Sequence, residues 1–150
     1  MHPVALAALL LAVFVVILLV RKPKQAVATE EASSAFEREV GAKDFDRVLE
    51  RSRDVPVMVQ FHAAWCGPCQ AFTPLLREMV DEYGGAFLLA RVDYDANQEL
   101  AARYGVESLP SVVLIKEGKR VDGFSGGRLP HSIEYFLAKN GVPRLDSAGE

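Results

Sequence analysis

Both cysteines of the chain, Cys66 and Cys69, lie in the stretch Trp65-Cys66-Gly67-Pro68-Cys69, at the junction of two runs with different periodicities. Residues 55–64 are rich in β-branched and aromatic side chains and read as a strand. Beyond the cysteines, Phe72, Leu75, Leu76, Met79, Val80 and Tyr83 recur at helical spacing. A chain built this way passes from a buried strand directly into an amphipathic helix, with Cys66 at the helix start. There, unpaired N–H groups and the positive end of the helix dipole lower the energy of a thiolate, the form of cysteine that attacks disulfides. Cys66 is therefore the expected nucleophile. Cys69 lies one turn further in, within reach of a mixed disulfide at Cys66, and is the expected resolving thiol.

Other readings of the pair are weaker. A structural zinc site takes four ligands as a rule. Beyond the cysteines only His2, His62 and His131 offer comparable donors, and none is paired with another at metal-ligand spacing, so no metal is expected. A purely structural disulfide closing so short a loop contributes little, and a domain of this length does not need one. Asp93, Asp95 and Glu99 lack the spacing of a calcium loop and read as a solvated loop and helix start. A formal net charge of −3 offers no basic patch for nucleic acid.

Periodicity elsewhere gives the order of elements. Residues 43–51 place Phe45, Val48 and Leu49 on one face of a short helix, and residues 56–62 form a central strand. After the motif helix come a strand at 86–92, a short helix at 98–104, a hairpin at 111–116 and 119–124, and a closing helix carrying Leu129, Ile133, Phe136 and Leu137. Strand–helix–strand followed by hairpin–helix predicts an α/β fold, a central mixed β-sheet with helices on both faces. No internal repeat is visible.

With these features in hand, the chain resembles the thioredoxin family from about residue 39 to residue 141. The resemblance rests on the Trp65–Cys69 motif, on Pro74 inside the following helix, on Leu109-Pro110-Ser111 before an apolar strand, on Gly118 at the hairpin turn and on Gly126. It implies a thioredoxin fold and a redox disulfide between Cys66 and Cys69. It implies a cis peptide bond before Pro110, and a shallow groove of Trp65, Gly67, Pro68, Leu109, Pro110 and Gly126 in which an extended segment of a disulfide-containing protein substrate pairs with backbone. No bound cofactor is implied; electrons come from a thioredoxin reductase using NADPH or from a membrane thiol carrier. The chain departs from the family at three positions. Gln60 stands where a buried aspartate is usual, and an amide cannot act as a base. His62 replaces a common tryptophan, bringing a side-chain type that titrates near neutrality to the neighbourhood of the site. Arg91 replaces a usual lysine and retains a positive charge there.

The N-terminal segment adds a membrane expectation. Residues 4–20 are uncharged and apolar, and with residues 1–3 they reach the length of a span. Arg21, Lys22 and Lys24 follow directly, the reverse of a signal peptide's charge layout, which favours a domain facing the cytoplasm. Ala26-Val27-Ala28 keeps an exported, extracytoplasmic alternative open. The expected organisation is an anchor at 1–20, a flexible linker at 21–38, a thioredoxin domain at 39–142 and a tail at 143–150. The expected function is a single-pass, membrane-tethered thiol-disulfide oxidoreductase that reduces protein disulfides. Two alternatives stand beside it, an exported reductase for protein or cytochrome maturation and a redox-inert binding or chaperone module.

Overall fold

The structure, a computed structural model, describes residues 34–145. Five strands and four helices follow one another: β1 (Glu37–Glu39), α1 (Phe45–Arg51), β2 (Val57–His62), α2 (Gly67–Glu82), β3 (Leu88–Asp93), α3 (Gln98–Arg103), β4 (Ser111–Lys116), β5 (Lys119–Ser125) and α4 (Pro130–Lys139). The sheet runs β1-β3-β2-β4-β5. Its β1, β3 and β2 are mutually parallel, whereas β4 runs antiparallel to β2 and β5 to β4. This is the mixed sheet that the element order predicts.

Strand β2 occupies the centre because it can be buried on both faces. Met58 joins Phe72, Leu76, Met79, Ile133, Phe136 and Leu137 of α2 and α4 in one apolar cluster. Val57, Val59 and Phe61 join Phe45, Val48, Leu100 and Ala101 of α1 and α3 in a second. Alternate residues of a strand face opposite ways, so two helical layers share one strand. Gln60 is the one polar residue of β2 with no exposure at all.

Several boundaries differ from the sequence pattern. The sheet begins at Glu37, inside the segment assigned to the linker at 21–38, because Glu37–Glu39 pairs with Leu89–Arg91 of β3. Three residues reading Glu-Arg-Glu carry no alternating apolar signal, and the pairing alone makes them a strand. At the other end, Arg144 reaches Glu82 and Glu134 and lies over the Tyr83 ring, so the start of the presumed tail is held against α2 and α4. The hairpin turn has positive φ at both central residues, Glu117 and Gly118, as two-residue loops joining twisted strands require. Both amides are held by Ser52 at the end of α1, Glu117 N–H to its carbonyl and Gly118 N–H to its hydroxyl, each at 2.8 Å. Among the described residues no helix is long and apolar enough to cross a membrane. The apolar run at 4–20 and most of the linker lie outside the described residues.

Candidate active site

Strand β2 delivers the chain to the motif and α2 begins immediately after it. Cys66 is the N-cap residue of α2, in extended backbone conformation, and its sulfur accepts a hydrogen bond from the Cys69 amide at 3.2 Å. A cap normally takes an oxygen acceptor; here a sulfur fills the place, where the helix dipole and free amides favour negative charge. Cys66 and Cys69 are joined as a disulfide, with Cα atoms 5.3 Å apart. In this oxidised form both are buried, at 4% and 2% exposure, so it is the helix start rather than exposure that distinguishes them. Gly67 and Pro68 form the exposed first turn, and Pro68 suits a position where no amide is needed. Pro74, deeper in α2, leaves the Gln70 carbonyl without its helical donor.

The residues expected to line a groove come from the start of α2 and from the segments before β4 and after β5. Trp65 is 67% exposed beside the cysteines, its indole N–H donating to Asp95 at 2.8 Å. Asp95 is thus engaged at the site, where the sequence pattern reads only a solvated loop. Leu109 packs on Ala63, Cys66 and Cys69, and the Leu109-Pro110 bond is cis. Gly126 donates its N–H to the Pro110 carbonyl at 2.8 Å and has a φ of +80° with open space where a Cβ would stand. These contacts place Leu109 against the dithiol and tie Gly126 to Pro110, the residue after Leu109.

The three departures from the family find partners that the sequence does not announce. Gln60 donates from its amide to the Thr73 hydroxyl at 2.9 Å, and that hydroxyl faces the Gln60 carbonyl oxygen at 3.3 Å. Thr73 lies on α2 one turn beyond Cys69, so a neutral, satisfied pair stands one turn from the resolving cysteine. His62 bonds through Nε2 to Glu39 at 2.9 Å. Arg91 does not stand as a free positive charge under the cysteines. Its Nη2 lies 2.9 Å from Glu39, and its Nε makes a close ionic contact with Glu37 that lacks the alignment of a hydrogen bond. Glu37 in turn accepts from Arg77 Nε of α2 at 2.7 Å. The result is an alternating line Arg77–Glu37–Arg91–Glu39–His62 that includes both acidic residues of β1. Thr73, Glu37, Glu39 and Arg77 escape sequence reasoning. Only the spacing of Glu37 and Glu39, two apart on one strand face, hints at a shared role.

No group of acidic, histidine or cysteine side chains able to hold a metal occurs among the described residues. Comparison with known proteins agrees with the geometry. The family model described as Thioredoxin matches residues 37–139. The chain is 43% identical over 96 residues to a protein named "Probable thioredoxin-2" from Caenorhabditis elegans, covering 63% of this chain and 65% of that one. It is 40% identical over 111 residues to "Thioredoxin, mitochondrial" from Rattus norvegicus, covering 74% and 66%. The match therefore spans just under two thirds of the length of these relatives. The solved structure of Fasciola hepatica thioredoxin superposes with a TM-score of 0.63 at 33% identity, over 68% of this chain and 97% of that one.

Proposed function

The chain belongs to the thioredoxin family, and from that premise we propose that it is a thiol-disulfide oxidoreductase working mainly as a reductase of protein disulfides. The observation that carries the reading is the Cys66 cap, a sulfur that receives the Cys69 amide at the start of a 16-residue helix and is bonded to Cys69. In the reduced form the same amide and helix end stabilise a Cys66 thiolate. That thiolate attacks one sulfur of a substrate disulfide, forms a mixed disulfide and releases the first substrate thiolate. Cys69 then attacks Cys66, the second substrate thiolate departs, and the Cys66–Cys69 disulfide remains. Two electrons pass to the substrate. With Gln60 and Thr73 unable to take a net proton, the Cys69 proton passes to the departing thiolate or to water.

The groove of Trp65, Gly67, Pro68, Leu109, Pro110 and Gly126 holds the substrate segment through backbone and apolar contact, which gives loose sequence preference. The oxidised pair is recharged by a thioredoxin reductase with NADPH or by a membrane thiol carrier, and the domain itself holds no cofactor. The apolar run at 4–20, with Arg21, Lys22 and Lys24 beyond it, supports a single-pass tether with the domain on the cytoplasmic side.

The mechanistic test is a pair of variants. Cys69→Ser should accumulate mixed disulfides at Cys66, resolved as higher-mass species on non-reducing gels, and Cys66→Ser should accumulate none. Equal accumulation in both would remove the assigned asymmetry.

A further inference from the structure

The structure holds a shallow hollow of about 390 Å³ between the outer strand β5 and α4. Its floor is aromatic, with Phe124 and Phe136 packed edge to face at 5.0 Å, and Tyr135 stands 72% exposed at its margin. Arg128, His131 and Lys139 line the rest of it together with Gly123 and Ser132, and no acidic residue among the described residues lines it. Asp122, nearby, is committed to Lys139 at 2.8 Å and to Asn140 at 2.9 Å. Arg128 lies over the Phe124 ring at 5.1 Å, and no carboxylate of the described residues is paired with it. Its guanidinium is therefore held over a ring, with no carboxylate among the described residues to answer its charge.

The hollow is joined to one of the expected groove residues through a short stretch of chain. Gly126, hydrogen-bonded to Pro110, is two residues from Arg128, a separation of at most about 7 Å along the chain. An extended polypeptide lying past Pro110 and Gly126 brings a side chain a few residues from its attacked cysteine over this surface, at about 3.3 Å per residue. We propose that the hollow is a specificity subsite for an acidic side chain of the disulfide-containing substrate, with Arg128 as its main counter-charge and Phe124 and Tyr135 as the apolar bed for its methylene groups. This rests on the oxidoreductase reading and adds the substrate class, polypeptides with Asp or Glu near the reducible cysteine.

The test uses synthetic peptides with one intramolecular disulfide, identical except for Glu or Gln placed in turn at several positions on either side of the attacked cysteine. Reduction is followed through kcat and KM separately. The wild-type chain should reduce the Glu peptide about threefold or more efficiently than the Gln peptide at one or more positions, the size of a single exposed ion pair, with the difference in KM. The preference should fall toward unity at about 1 M salt, where charges are screened within about 3 Å. Arg128→Glu should reverse it and Arg128→Lys should retain most of it. Equal efficiency on Glu and Gln peptides at every position, or a preference untouched by Arg128→Glu, overturns the subsite while leaving the oxidoreductase reading intact. Reduction of neither peptide overturns both.

Discussion

Replacing Gln60 by Glu puts a carboxylate of the same length where a fully buried amide now meets the Thr73 hydroxyl at 2.9 Å. Thr73 is one turn beyond Cys69, and side chains at that spacing have Cβ atoms about 6 Å apart, which sets the introduced charge about 8 Å from the cysteine sulfurs. At an effective dielectric near 20, two like charges at that distance repel by 332/(20 × 8), about 2 kcal/mol, or about 1.5 pKa units. Cys66 of Gln60→Glu should therefore titrate up to about 1.5 units higher than in the native chain, the full effect developing once the introduced carboxylate, itself raised by burial, has ionised. A less stable thiolate disfavours the reduced form. The redox potential should accordingly become more negative by up to about 45 mV, at 30 mV for 1.4 kcal/mol. The assay is ultraviolet thiolate absorbance against pH, joined to equilibration of each protein with a glutathione buffer. Gln60→Leu serves as the uncharged control and should leave the thiol titration close to native. A folded Gln60→Glu protein whose Cys66 titration is unchanged, or moved downward, would refute the placement of Gln60 beneath the dithiol as an electrostatic determinant.

Two further predictions concern stability. Glu37, with its side chain 2% exposed between Arg77 and Arg91, should on conversion to Gln leave two guanidinium groups facing a neutral amide; thermal unfolding should reveal a loss of about 3 kcal/mol, a fall in Tm on the order of 10 °C. A loss below about 0.5 kcal/mol would show that the arginines find equal partners elsewhere. The Asp122 carboxyl is held down to about 2, chiefly by the Lys139 hydrogen bond and then by that of Asn140. Its folded value lies below the unfolded one, so its contribution is complete above pH of about 4 and is lost as pH falls toward 2. Denaturant titrations should show this increment, about 1 kcal/mol at most once solvent screening is allowed for, vanish in Asp122→Asn.

Local patterning carried the architecture. The change from a β-branched run to helical spacing at Cys66 located β2, α2 and the dithiol, because burial of β2 on both faces and of one face of α2 selects those residues directly. Pro110 and Gly126 were legible only through resemblance, since nothing in their own neighbourhoods says that a Gly126 amide will meet the Pro110 carbonyl. The strand at Glu37–Glu39 was illegible because its stability comes from a partner about 50 residues away and not from its own apolar pattern. The surroundings of the site were settled by the same kind of contact. Gln60 with Thr73, His62 with Glu39, Trp65 with Asp95 and Glu37 with Arg77 all join residues well separated in the chain. By itself, then, the sequence determined the order of the elements after β1, their buried faces and the paired sulfurs of Cys66 and Cys69, which depend on short-range periodicity and on a helix beginning at one residue. Tertiary structure decided which charges are answered and which, like Arg128, are left to face solvent, because hydrogen bonds and ion pairs form between whichever side chains packing brings within about 3 Å.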